Sequence, residues 1–338
     1  MSTNGDDIRL AVVIPVFNDW ISCARLLTEL DAELASLSAD VRVYLVDDGS
    51  TVVEGRASLY DIAFQSITSL TILDLVCNLG NQRAIAVGLV EVAKLDDIDA
   101  VLVMDADGED RPQDVPKLIE EFHRHRSSII VAQRARRSEG LVFRVFYQFY
   151  KALFRGLTGK KIAFGNFSLI PSGYLRRLVY TPELWNNLAA TLRRSRQDIV
   201  ASQTNRGERY AGQPTSSLVG LIVHGLSALS VYSDVAFVRI LLVSLSLSLL
   251  AAAGILGAVY IKVFTDWAIP NWTTMAVGTL SIMLLQALLI SGGAVFLLLS
   301  NRSNAVVVPA LVGDQYIRRQ EKIFEAKRPP RLLQVQHT

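Results

Sequence analysis

Between Arg239 and Lys262 the chain runs for 22 residues, 240–261, without a charged side chain. As an α-helix that run is about 33 Å long, enough to cross the hydrocarbon core of a bilayer. A second charge-free stretch extends from Trp267 to Asn301, with 275–299 as its apolar centre. Two such runs in tandem argue against a soluble core helix. They predict a two-helix transmembrane hairpin within residues 235–301, with spans at about 239–261 and 274–299. The connection, KVFTDWAIPNW, is short and carries Trp267 and Trp272, a residue type enriched at membrane–water interfaces. From Arg302 onward there are seven Lys/Arg and three Asp/Glu. That bias predicts a basic cytoplasmic tail over 302–338, with both ends of the hairpin in the cytoplasm.

Charge divides the rest of the chain. Residues 1–133 carry 10 Lys/Arg against 23 Asp/Glu, and residues 134–338 carry 24 against 9. An acidic half therefore precedes a basic half that holds the apolar runs. The basic residues adjoin hydrophobic stretches rather than a polar face, so membrane lipids are the expected partner and no nucleic acid is. Two further stretches read as interfacial helices: 141–157, LVFRVFYQFYKALFRGL, with aromatic residues interleaved with Arg144, Lys151 and Arg155, and a juxtamembrane amphipathic segment over 216–234. Cys23 and Cys77 form no CxxC or Cys/His cluster, so neither a disulfide framework nor a zinc site is expected. The opening residues, MSTNGDDIRL, have no basic stretch followed by an apolar run, so the acidic half is expected in the cytosol.

Before residue 135, short Val/Ile-rich runs alternate with helical patterns: 10–16, 41–46, 70–76, 100–104 and 128–132. Such spacing predicts buried, mostly parallel strands joined by crossover helices, an α/β fold. Asn18 is placed to cap a helix whose apolar positions include Ile21, Ala24, Leu27, Leu30 and Leu34. The first strand ends in VFND rather than a glycine-rich dinucleotide turn, and GLTGKK at 156–161 lacks P-loop spacing. The second strand ends instead in Asp47-Asp48-Gly49-Ser50 and the fourth in Asp105-Ala106-Asp107. Ligands of open α/β sheets bind beyond the carboxyl ends of the strands. Carboxylates gathered there repel unless a cation joins them. Asp105 and Asp107, at i and i+2 of an extended segment, are the expected ligands of Mg2+ or Mn2+ holding a diphosphate. DADGED begins like a calcium loop, but lacks the glycine at the sixth position and the glutamate at the twelfth.

The ordered set IPVFND (14–19), VDDGS (46–50), NLGNQRAIAVGL (78–89) and DADGEDRPQDV (105–115) resembles family-2 glycosyltransferases. With GNFSLI (165–170), RYAG (209–212) and two carboxy-terminal spans, it is most similar to the polyprenyl-phosphate glycosyltransferase branch, which includes bactoprenol glucosyltransferases and dolichol-phosphate mannose synthases. The resemblance implies a GT-A catalytic domain over 1–215, Rossmann-like with a mostly parallel sheet. It also implies a nucleotide-diphosphate-sugar donor, a divalent metal and inversion at the anomeric carbon. By motif, Pro15, Phe17 and Asp19 would line the nucleotide pocket. Val46 and Asp48 would contact base and ribose, Asp105 and Ala106 would lie along the diphosphate, and Asp107 would hold the metal. Arg134 matches a phosphate-binding arginine, and Arg209 the arginine before a Gly-x-Ser-Lys segment. Thr215 stands where the family has that lysine, with Arg206 as a substitute, and Glu109-Asp110 keeps only part of the pattern after the DxD.

A polyprenyl monophosphate is already ionised near neutral pH, so transfer to it needs alignment and charge neutralisation more than a strong base. Transfer to a diacylglycerol hydroxyl needs a base, and Asp110 is the candidate for that role. A processive synthase would show a Gln-x-x-Arg-Trp segment and more spans, which this chain does not have. A non-catalytic scaffold of the same fold is the remaining alternative. The expected setting is the inner membrane of a bacterium, with the catalytic domain cytoplasmic and a homo-oligomer as a further partnership open to the hairpin.

Overall fold

Five Val/Ile/Leu-rich runs alternate with helix-forming segments, and each run becomes a strand because it can be buried on both faces. The computed structural model describes residues 8–37, 39–134, 141–160, 164–205, 207–210, 218–265, 271–303 and 305–326. The first elements are β1 (Ile8–Val16), α1 (Trp20–Leu34), β2 (Ala39–Asp47), β3 (Ile67–Leu75), α2 (Asn81–Val92), β4 (Ala100–Val103), α3 (Val115–Arg124) and β5 (Ile129–Arg134). Then come α4 (Leu141–Thr158), β6 (Ser168–Pro171), α5 (Ser172–Leu178), α6 (Leu188–Arg194), β7 (Ile199–Thr204) and α7 (Leu218–Ser230). The last described elements are α8 (Ser233–Phe264), α9 (Trp272–Ser303), α10 (Pro309–Val312) and β8 (Ile317–Glu325).

The eight strands among the described residues form one sheet in the order β7-β5-β6-β4-β1-β2-β3-β8. The β1–β2, β1–β4, β2–β3 and β5–β7 pairs are parallel, whereas β6 and β8 run antiparallel to their neighbours. Alternation along β1 divides the core in two. Leu10, Val12 and Ile14 pack with Leu26 and Leu30 of α1 and Leu118 and Phe122 of α3. Ala11 and Val13 face Ile85 and Leu89 of α2, in a cluster that also takes in Leu175 and Leu188. The face of α1 differs from expectation: Ile21 is exposed, and Trp20, Cys23 and Leu26 are buried in its place.

The chain divides into two units. The first comprises Met1–Ser138, Ile162–His224 and Val307–Thr338, and the second Glu139–Lys161 and Gly225–Val306. The boundaries expected for a 1–215 domain therefore change at two places. The segment containing α4 belongs with the hairpin: Phe154 meets Tyr232 edge-on with ring centroids 5.8 Å apart, and Arg239 Nη1 donates to the Gly156 carbonyl at 2.7 Å. Within the segment expected as a basic cytoplasmic tail, Ala310 N–H donates to Val179 O and β8 pairs along β3. Its sequence, IRRQEKIFE, reads as solvated because an edge strand pairs through its backbone and leaves charged side chains outward.

In the second unit α8 and α9 are each long and apolar enough to cross a membrane. Ser244 and Ser291 share a hydrogen bond of 2.7 Å, and Asn301 reaches Ser233 near the other end, so the two helices run antiparallel. Their seam is made of small residues: Ser244, Ser248, Ala251 and Ala258 on α8, Ala287 and Ala294 on α9. The large side chains, among them Leu249, Leu250, Leu256 and Leu289, point away and are exposed. A water-soluble pair would bury its leucines. Small residues inside and leucines outside are the arrangement that packing in lipid favours.

Candidate active site

The parallel strands β1, β2 and β4 end on the same side of the sheet, and their carboxyl ends carry the expected residues. The β1–β4 ladder stops at Val13, whose carbonyl accepts from Met104 N–H. Pro15, two residues on and turned to the same neighbour, lacks an N–H where β4 has already ended, so no ladder bond is lost. The strands part there, as at the ligand crevices of open α/β sheets. Phe17 follows in an exposed position and Asp19 precedes α1 without a side-chain capping bond. Asn18 does not cap α1 as expected. Its Oδ1 accepts the N–H groups of Thr51 and Val52 at 2.8 and 2.9 Å, tying the loop after β1 to the loop after β2.

Two expected contacts change character. Val46 is fully buried, packed so closely on α2 that a Cβ at Gly88 would lie 2.7 Å from it, so its side chain is core rather than base-binding surface. Asp48 is also buried, and its oxygens accept Leu79 N–H at 2.6 Å and Gly80 N–H at 2.9 Å. Burial pushes its pKa up against the lowering effect of those two bonds. Its side chain sets the loop before α2. Beside it Asp47 accepts Ser50 N–H and pairs with Arg56. Arg56 also reaches Asp74 on β3 at 2.9 Å and Glu321 on β8 at 3.1 Å, and stacks over Trp20.

After β4 the chain leaves the extended conformation, so Asp105 and Asp107 sit in a turn rather than on alternating positions of a strand. Asp110, buried, accepts Asp105 N–H at 3.0 Å, and Asp107 Oδ1 accepts Glu109 N–H at 2.9 Å. Asp110 therefore holds the turn through its Oδ2. Ala106 is buried, Asp105 Oδ1 takes a long bond from Asn81, and Asp107 Oδ2 pairs with Arg209 Nη2 at 2.9 Å.

Residues 207–210 are fastened onto this turn. Gly207 N–H donates to Glu109 O and Tyr210 N–H to Asp107 O. Gly108 has φ +85°, which an L side chain rarely adopts, and a Cβ there would stand 2.6 Å from the Tyr210 ring. Gly207 passes closer still, with a Cβ position 2.0 Å from Gly108 O. The Tyr210 hydroxyl donates to Glu29 at 2.6 Å, and Arg25 lies over its ring. Burial and Glu29 raise the Tyr210 pKa. Burial opposes ionisation of Glu29, but bonds from Tyr210, Arg25 and Gln113 hold it below the usual range. A cavity of about 220 Å3 beside the turn is lined by these residues with Arg111 and Arg209, smaller than the roughly 300–1,000 Å3 of small-molecule pockets.

Arg134 ends β5, in register with Thr204. Arg206 and Thr215 lie outside the described residues. Among the described residues no group of three or more His, Cys, Asp or Glu forms a metal cage. A divalent cation shared with a diphosphate needs only one or two carboxylates, the phosphates and waters completing its shell. Part-exposed Asp107, already holding a cationic partner, and Asp105 beside it fit that donor set.

A mostly parallel sheet whose carboxyl edge carries an acidic turn paired with an arginine has the layout of a GT-A glycosyltransferase. Residues 11–180 match the profile of Glycosyl transferase family 2, and the chain belongs to that family. It is 28% identical over 171 residues to an undecaprenyl-phosphate 4-deoxy-4-formamido-L-arabinose transferase of Erwinia tasmaniensis, covering 51% of this chain and 50% of that one. It is 28% identical over 137 residues to a dodecaprenyl-phosphate galacturonate synthase of Rhizobium johnstonii, covering 40% and 39%. The chain thus spans about half the length, or less, of these two relatives. A glucosyl-3-phosphoglycerate synthase from Mycobacterium tuberculosis, solved with Mn2+, UDP-glucose and phosphoglyceric acid, superposes on 68% of this chain and 80% of its own with TM-score 0.48 and 13% identity.

Proposed function

We propose that this chain transfers a sugar from a nucleotide-diphosphate sugar to a polyprenyl phosphate at a membrane surface, with inversion at the anomeric carbon and a divalent metal. The observation that carries the reading is the Asp105–Asp107 turn with Arg209 on it, in the same chain as a lipid-facing helix pair. An acceptor that stays in the bilayer gives a transferase reason to carry such an anchor. The two relatives named for undecaprenyl and dodecaprenyl phosphate support this acceptor class.

Asp107, with Asp105, would hold Mg2+ or Mn2+, which supplies charge neutralisation for the departing diphosphate. Phe17 and the loops after β1 and β2, joined through Asn18, would seat the nucleoside. Asp48 acts from beneath, fixing the loop before α2 on which Asn81 stands. Arg209, and Arg134 at the end of β5, would bring guanidinium forks to phosphate oxygens. The acceptor arrives ionised, so these residues orient it rather than deprotonate it.

The test is incubation of the full chain with a panel of nucleotide sugars and undecaprenyl phosphate, followed by mass spectrometry of the lipid, with diacylglycerol in parallel. A new glycosyl-phosphoryl-polyprenol is expected. Product only with diacylglycerol would overturn the acceptor, and no product with any donor would favour a non-catalytic role. We place the first unit on the cytoplasmic side of a bacterial inner membrane, following the positive-inside bias. A cysteine replacing Thr265 should then react with an impermeant maleimide added outside intact cells, and one replacing Gln334 should not. The reverse pattern would refute the orientation.

A further inference from the structure

Arg209 sits on the carboxylate to which the metal is assigned. Asp107 Oδ2 is 2.9 Å from its Nη2, and Oδ1 is engaged by Glu109 N–H. A divalent cation that approaches Oδ2 from the side the guanidinium occupies competes with it for that lone pair, and the two positive charges repel across the shared carboxylate. The backbone around Arg209 is pinned by Gly207 N–H on Glu109 O and Tyr210 N–H on Asp107 O, so an exchange would move the long side chain and leave that backbone in place. The pair is part-buried, with side-chain exposures of 25% for Arg209 and 17% for Asp107, so it is screened less by salt than a surface ion pair and still reachable by ions.

We propose that Arg209 is a placeholder for the divalent cation at Asp107. It neutralises the carboxylate until the metal-bound donor arrives, then yields the oxygen and turns its guanidinium to phosphate. The inference rests on the reading of Asp107 as a metal ligand. Its consequence is an order of binding: the arginine becomes available to an anion only after the cation is in place, so an acceptor phosphate is captured second. Cation binding and anion capture are then coupled, and each strengthens the other by the same factor.

The test uses the full chain in detergent micelles, titrated with Mn2+ in the absence of nucleotide, with free Mn2+ read from its electron paramagnetic resonance signal. Arg209→Gln should bind Mn2+ about fivefold more tightly than the unmodified protein, the scale of losing one competing part-buried ion pair. Arg111→Gln removes the same charge from the same cavity but leaves the Asp107 pair in place, and should change Mn2+ binding by less than about twofold. Equal tightening by both variants would reduce the effect to long-range charge and overturn the proposal, as would no tightening in Arg209→Gln. On the unmodified protein, sulfate, which can occupy the guanidinium and binds Mn2+ weakly, should tighten Mn2+ binding. Absence of that effect overturns the proposal independently of how the variants fold. Asp107→Asn separates the two levels: undiminished Mn2+ binding there would remove the metal-ligand reading itself.

Discussion

Replacing Arg56 with methionine should destabilise the catalytic unit severely, and the size of the loss follows from what surrounds the guanidinium. Arg56 has 18% side-chain exposure and faces Asp47 at 3.3 Å, with 5%, and Asp74 at 2.9 Å, with 4%. Methionine keeps an unbranched apolar stem but loses the guanidinium over Trp20 and leaves two buried carboxylates without their cation. Removing one partner of a buried ion pair costs about 3–5 kcal/mol. For a unit of this size each kcal/mol moves the melting temperature by about 2–4 °C, which gives a drop of roughly 6–20 °C. The assay is thermal unfolding of the full chain in detergent, followed by proteolysis of the first unit. Asp74→Asn, added to Arg56→Met, should recover part of the loss because one stranded charge is gone. A single variant melting within about 2 °C of the unmodified protein would refute the reasoning, and so would a double variant less stable than the single.

Gly108→Ala forces a side chain to φ +85° and into the Tyr210 ring, so it should cost about 1–3 kcal/mol and speed amide exchange at Gly207 and Tyr210, measured by hydrogen–deuterium exchange. Asp99 is held below the usual carboxylate range, chiefly by the Arg9 guanidinium and also by the Arg9 N–H. Its contribution to stability is complete above the unfolded-state pKa of about 3.9 and is lost as pH falls through the lower folded-state value. Asp99→Asn should therefore flatten the fall in melting temperature below about pH 4, and an unchanged acid limb would contradict that role.

The five strands legible in the sequence were those with two buried faces, where Val and Ile accumulate for a packing reason. The strands β6, β7 and β8 carried less signal. β6 is four residues long, β7 alternates weakly, and β8 is charged because only its backbone is needed. At the site, motif order located the acidic turn and Arg209. It did not separate side chains that could touch a ligand from those that build the floor: Val46, Asp48 and Asp110 are all buried. Partners distant in sequence left no local trace. Arg56 with Glu321 spans 265 residues, and Tyr210 with Glu29 spans 181.

The return of β8 to the edge of β3 bears on how the protein is made. Everything from β1 to β7 leaves the ribosome before either long apolar helix, and β3 must then wait with an unpaired row of backbone donors and acceptors on its outer side. Such an edge is a template for other strands, so the nascent chain carries an aggregation hazard until residues 317–325 are synthesised. If both helices cross the bilayer, β8 comes back to the side where its sheet is waiting. If only one crosses, the last strand is stranded on the far side and the edge stays open. Completion of the sheet is thereby tied to the fate of the helix pair, because its last strand follows both helices in the chain.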